Sequence, residues 1–319
     1  MSDFISNLQK ELVEKKGVAP TTADSYVRTL VVLNNKTPFK NLGFLKKTED
    51  ILAKLEGYAE TTQKSILAML VSVLGMFQSP TYKKSYTVYH EKMVEAMKEE
   101  KENHTSEKTD KQKENWIDWN VIKKMSDDGY AKVKTYKNVL TSKELDHLLN
   151  TTILSLYTCI PPRRNQDYLD MLVVKKWNDK MPTDKNYLDL YNSQFVFNKY
   201  KTSKKYGTQI VKIPNDAENP LMDVLEAYLK HHPQFKTLKG KNSEPIPFLV
   251  GSTGTLTAAN SITRILNKVF GKNVGSSMLR HSFLTSKYGD IIQEQQEDSA
   301  AMGHSISEQR EYVRTDLKE

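Results

Sequence analysis

The chain has 319 residues, a length that favours two domains over one, and with 38% hydrophobic and 27% charged residues it reads as a soluble globule. Its 47 Lys and Arg outnumber its 39 Asp and Glu, giving a formal charge of +8, a balance that suits a polyanionic partner, chiefly nucleic acid. Membrane insertion and secretion are expected to be excluded. The most apolar stretch, residues 66–77, is interrupted by Ser72 and Gly75, and the opening MSDFISNLQKEL lacks the basic and apolar regions of a signal peptide. The single cysteine, Cys159, allows no internal disulfide, so an intracellular, reducing setting is expected.

Residues 1–97 read as a helical domain. Pro20 suits a first helical turn, and Tyr26, Val27, Leu30, Val31 and Leu33 then recur on one face. A second helical segment runs from Thr61 to Phe77, and a third from Tyr86 to Met97, with Tyr89, Met93 and Met97 at four-residue steps. Residues 98–115 (KEEKENHTSEKTDKQKEN) contain nothing apolar, so they have nothing to bury and are expected to form a solvated linker or an exposed helix end. Trp116, Ile117 and Trp119 restart apolar content, and residues 116–319 are expected to form the second domain.

In that domain Thr141 and Glu144 have capping-box spacing, and the helix after them carries Leu145, Leu148, Leu149, Ile153 and Leu156 on one face. Residues 187–213 change character. Phe195, Phe197 and Tyr200 lead into a polar KTSKKYG turn, then Ile210, Val211 and Ile213 follow, a β-hairpin pattern ended by Pro214. Helical patterns resume at 221–229 and 261–270. The chain is thus expected to be mainly α with a small antiparallel β-sheet, of the α+β class.

Four basic elements and one tyrosine stand out. They are PPRRNQDY (161–168), YKTSKKYG (200–207), MLRHSF (278–283), MGHS (302–305), and Tyr312, eight residues beyond His304. Each alone is ordinary: arginine pairs usually make surface salt bridges, and a late tyrosine usually anchors a helix. In this order and spacing they resemble the catalytic domain of tyrosine recombinases, the phage-integrase type, and the PPRR–DY form resembles the branch found in mobile elements and large DNA viruses. The motifs cover roughly residues 140–319; the N-terminal domain is similar only in position and helical character, as a core-binding clamp.

The resemblance implies a reaction without metal or ATP. Arg164 and Arg280 would neutralise charge on the non-bridging phosphate oxygens, a task that suits guanidinium because it stays charged and donates two hydrogen bonds at once. His304 would donate a further hydrogen bond, and Tyr312 would attack phosphorus to give a 3′-phosphotyrosine. The hairpin lysine of the family, matched best by Lys201 among Lys199, Lys201, Lys204 and Lys205, would protonate the leaving 5′-oxygen. Asp167 matches the acidic position that buttresses the first arginine; Arg163 remains the alternative to Arg164 in that role. The sequence departs from the family at Ser277, where a histidine is usual, and serine donates a hydrogen bond but carries no proton near neutral pH. His281 could compensate in part, although a buried structural role is the better expectation.

No cofactor is expected. The seven histidines form no zinc-like spacing, so no metal site is expected either, and no phosphate-cradling G-x-x-x-x-G-K-[ST] is present. The expected partner is double-stranded DNA, with Arg28, Lys204, Lys205, Arg264, Lys268 and Lys272 as candidate contacts. The expected assembly is a homotetramer on DNA formed from a chain that is monomeric in solution, since only Val313–Glu319 follow Tyr312 where many relatives carry a tail helix. Type IB topoisomerases and telomere resolvases share the chemistry, and a non-cleaving DNA-binding relative is the alternative from another class.

Overall fold

A computed structural model of the chain describes residues 3–77, 79–102, 107–214, 216, 218–240 and 243–312. The tail after Tyr312 and part of the charged segment, residues 103–106, lie outside the described residues. The chain divides into two compact units, Met1–Glu107 and Lys108–Glu319, and the division falls inside the charged segment 98–115. Among the described residues no helix is long and apolar enough to cross a membrane.

The first unit is built of helices α1 (Asp3–Glu14), α2 (Pro20–Leu33), α3 (Thr48–Glu56), α4 (Glu60–Phe77) and α5 (Pro80–Glu102), with a short 3-10 turn at Gly43–Lys46. Pro20 opens α2, where a missing N–H is harmless. The expected stripe of α2 is buried at Val27, Leu30 and Leu33, and shares one core with Ile5, Leu8 and Leu12 of α1 and Leu70, Val73 and Leu74 of α4. Of the four-residue steps on α5, Tyr89 is fully buried, Met93 packs at the edge of the core and Met97 is exposed. The Tyr89 hydroxyl donates to the Leu45 carbonyl at 2.8 Å, so this aromatic fills the core and satisfies a turn carbonyl together.

The second unit comprises α6 (Asp110–Asn115), α7 (Trp119–Val133), α8 (Ser142–Thr158), α9 (Asn165–Leu169), β1 (Leu172–Val174), β2 (Tyr187–Asp189), β3 (Gln194–Phe197), α10 (Ser203–Tyr206), β4 (Gln209–Lys212), α11 (Leu221–Lys230), β5 (Ile246–Pro247), β6 (Val250–Gly251), β7 (Gly254–Thr255), α12 (Ser261–Phe270), α13 (Ser276–Met302) and α14 (Ile306–Tyr312). Helix α8 is its axis. It starts at the expected capping box, in which the Thr141 hydroxyl accepts from the Glu144 N–H and the Glu144 carboxylate accepts from the Thr141 N–H. Its buried residues from Leu148 to Tyr157 form one core with α9, α11, α12 and the sheet.

The sheet runs in the order β4-β3-β2-β1-β5. It is mixed rather than antiparallel throughout, because β1 and β2 run parallel, Leu172 opposite Tyr187. The polar segment 175–186 between them is long enough for the crossover that parallel pairing needs, so no tight hairpin is imposed there. The expected hairpin is present as β3 and β4, with Phe197 opposite Gln209 as its last paired rung. Its tip is not a bare turn: Ser203–Tyr206 makes one helical turn that ends at Gly207, whose φ of 65° suits a residue without a Cβ. A two-stranded ribbon, β6–β7, lies apart from this sheet.

Replacing Tyr89 by Phe removes one buried hydrogen bond and leaves the Leu45 carbonyl unpaired. Urea unfolding followed on the first unit should show a loss of about 1–2 kcal/mol.

Candidate active site

The first arginine box lies in the loop that joins α8 to α9, and Arg164 caps α9. The second lies in the first turns of α13. Polar contacts of Asn165, inside the first box, hold the two together. Asn165 donates through its side-chain amide to the Thr263 hydroxyl of α12 at 2.9 Å, and its backbone N–H donates to the Ser276 hydroxyl of α13 at 3.4 Å. The Asn165 side-chain oxygen accepts from the Tyr157 hydroxyl of α8, a buried phenol whose pKa burial raises far above its ordinary value. Helices α8, α12 and α13 thus meet at the first residue of α9.

Arg280 reaches back to the Ser276 carbonyl at 3.3 Å. Its pKa is lowered, first by partial burial and then by the like charge of Arg164, while Asp167 and Tyr157 oppose that shift. Arg164 and Arg280 are both half-buried, and the Asn165–Ser276 hydrogen bond brings their segments together, so their like charges oppose each other and a nearby anion would relieve the repulsion.

Arg163 does different work. Its Nε donates to the Asp167 carboxylate at 2.9 Å and a terminal nitrogen donates to the Gln209 side-chain oxygen at 3.0 Å. Its guanidinium carbon lies over Phe197, 3.8 Å from the ring centroid, and 5.2 Å from that of Tyr200. Only 16% of the Arg163 side chain and 3% of the Asp167 side chain are exposed. Asp167, expected to buttress Arg164, instead accepts its side-chain hydrogen bond from Arg163, and Arg164 acts on it through its charge and backbone. Burial raises the Asp167 pKa in spite of these cations, and its second oxygen is buried without a hydrogen-bond partner.

Behind this pair sits Asn186, which nothing in the sequence marks. Its amide donates to the Asp167 carbonyl at 2.7 Å and to the Lys199 carbonyl at 2.9 Å, while its oxygen accepts from the N–H groups of Asn198 and Lys199. One buried asparagine thus joins α9 to the base of the hairpin tip. The tip is closed by the Tyr200 hydroxyl donating to the Gly207 carbonyl at 2.7 Å, and Lys201, Lys204 and Lys205 stand exposed on it.

His304 and Tyr312 form a second group. Helix α13 ends at Gly303, in the left-handed conformation, and α14 begins at a reciprocal pair in which the Ser305 hydroxyl accepts from the Glu308 N–H and the Glu308 carboxylate accepts from the Ser305 N–H. That turn stacks the His304 imidazole on the Tyr312 ring, with centroids 5.8 Å apart and planes 25° apart. Tyr312 is 75% exposed, so its hydroxyl is accessible to a large substrate. The two groups are not together. Arg280 lies near the start of α13 and His304 just beyond its end, and the unbroken helix from Arg280 to Met302 alone spans roughly 33 Å at 1.5 Å per residue.

Other expected positions fare variously. Ser277 is exposed in the first turn of α13, and it is Ser276 that engages Asn165. His281, expected to be buried, is exposed, because the buried stripe of this turn falls on Leu279 and Ser282. Arg28 is paired with Asp24 at 2.6 Å. Lys272 is committed to the carbonyls of Glu114 and Trp116, at 3.3 and 3.2 Å. Arg264 and Lys268 are exposed on α12. Among the described residues no group of three or more His, Cys, Asp and Glu could hold a metal ion.

No protein-family model, curated protein or solved structure matches the chain.

Replacing Asp167 by Ala strands the Arg163 guanidinium in a poorly hydrated position. Equilibrium unfolding should show a loss of about 3–5 kcal/mol, the range for breaking a buried ion pair from one side. A loss below about 1 kcal/mol would mean that the pair is effectively solvent-screened.

Proposed function

We propose that the chain is a DNA strand-exchange enzyme of the tyrosine recombinase type, a site-specific recombinase or integrase. The observation that carries this reading is the hydrogen bond from the Asn165 N–H to Ser276, which brings the start of α9, next to Arg164, against the first turn of α13, whose Ser276 carbonyl accepts from Arg280. Such a pair of arginines fits a phosphodiester, whose two non-bridging oxygens take up negative charge as phosphorus is attacked.

In the proposed reaction the Tyr312 oxygen forms a bond to phosphorus and its proton passes to solvent. The bond from phosphorus to the 5′-oxygen breaks, and that oxygen takes a proton from the Lys201 ammonium group. His304, stacked on Tyr312, donates a hydrogen bond to the same phosphate. The phosphotyrosine keeps the energy of the broken ester, so a second 5′-hydroxyl can rejoin the strand without ATP. Double-stranded DNA is the proposed partner, with exposed cations such as Lys204, Lys205, Arg264 and Lys268 available to phosphates.

The reading requires the His304–Tyr312 group to meet the arginines, either through a bend in α13 or by delivery from a second copy. The intervening helix exposes Leu284, Tyr288, Ile291 and Ile292, at steps of four, three and one, an apolar stripe that either rearrangement would cover. The separation in the isolated chain favours one second reading, a DNA-binding relative that no longer cleaves.

A duplex nicked close to its cleavage site separates the two. The native chain should form a covalent protein–DNA adduct that resists denaturation and is unchanged by a metal chelator. Tyr312→Phe should form none, and Arg280→Ala should cleave roughly 10²–10³-fold more slowly, the usual effect of losing one charge-stabilising donor. Binding without any adduct across varied target sequences would support the non-cleaving reading.

A further inference from the structure

The two arginines of the PPRR box are neighbours in sequence but do not share a task. The backbone next to Arg164 is bonded to Ser276 in the turn that carries Arg280, whereas the Arg163 side chain is fixed on the hairpin. Its two hairpin contacts, Phe197 and Gln209, are opposite one another on the last paired rung before the tip. Its third hairpin neighbour, Tyr200, directly precedes Lys201 and closes the tip through Gly207. Asp167 holds the other side of the guanidinium and is itself tied to Lys199 through Asn186. Every contact of Arg163 named here thus lies either on α9, directly after the arginine loop, or on the rung and tip that carry Lys201.

We propose that Arg163 is a positioning residue that sets the distance between the hairpin lysine, Lys201, and the phosphate-binding pair Arg164 and Arg280. This rests on the recombinase-type reading of the site. A hairpin tip is a flexible platform for a proton donor, because an exposed lysine on a short turn samples many positions. A guanidinium set over a ring of one strand and hydrogen-bonded to the other removes that freedom at the base of the tip, and its backbone neighbour is the residue that contacts phosphate. A misplacement of about 1 Å between reacting groups lowers a rate by roughly 10²-fold, so a strut at this point has leverage on proton transfer without touching substrate.

The test compares two nicked duplexes, one ordinary and one carrying sulfur in place of the bridging 5′-oxygen at the cleaved bond. A thiolate leaves without being protonated, so the sulfur substrate bypasses the general acid and still requires the arginines. The proposal predicts that Arg163→Met cleaves the ordinary duplex roughly 10²-fold more slowly than the native chain and the sulfur duplex within about threefold of it, the same pattern as Lys201→Ala. Arg164→Ala should be slow on both. Gln209→Leu, which loosens the same strut from the hairpin side without leaving a buried charge unpaired, should show a smaller defect that sulfur also repairs. Equal loss on both substrates in Arg163→Met and Gln209→Leu, or native rates on the ordinary duplex, would overturn the proposal. Failure of the native chain to cleave either duplex would instead overturn the recombinase-type reading on which it rests.

Discussion

The arrangement depends on one buried ion pair, Arg163 with Asp167. A carboxylate 97% shielded from water and a guanidinium nearly as enclosed are expensive to desolvate, and the raised pKa of Asp167 shows that burial outweighs the attraction of its cations. What makes the pair tolerable is the number of groups it satisfies at once: the Phe197 face, the Gln209 amide oxygen and the Arg163 fork. Asn186 adds a second set of hydrogen bonds in the same place, linking Asp167 to Lys199. A polar network of this kind fixes geometry more than it adds stability, and the geometry it fixes is that of the hairpin against the arginine loop.

Much of the architecture was legible in the residues. Pro20, the Thr141–Glu144 box and the 195–213 alternation marked α2, α8 and the β3–β4 hairpin because each rests on local chemistry that tertiary context did not override. The parallel pairing of β1 with β2 was not legible, since two short buried strands carry no signal of relative direction. The same limit applied to the arginines. The resemblance put Asp167 beside Arg164 with Arg163 as the alternative, and the carboxylate is hydrogen-bonded to Arg163, a distinction that depends on side-chain direction at the start of α9. Asn186 was invisible because an asparagine before a strand usually signals only a turn.

Helix α13 is where the spacing of motifs and the structure diverge most. The 24 residues from Arg280 to His304 contain no proline, and the helix runs unbroken from Ser276 to Met302, so sequence order alone does not bring the two groups together. The distal half carries Asp290, Glu294, Glu297 and Asp298 beside its exposed apolar stripe. Those charges would repel DNA phosphates, so a protein surface suits this segment better than nucleic acid does. The His304–Tyr312 stack at its end is fixed locally by Gly303 and the Ser305–Glu308 pair.

The central claim is that Tyr312 becomes joined to DNA. The direct measurement is mass spectrometry of the chain after incubation with a nicked duplex and exhaustive nuclease digestion, followed by trypsin. The account predicts a nucleotide remnant, attached through its 3′-phosphate, on the tryptic peptide 311–314 and located on Tyr312. A remnant on any other residue, or none on a chain that demonstrably binds the duplex, would contradict it.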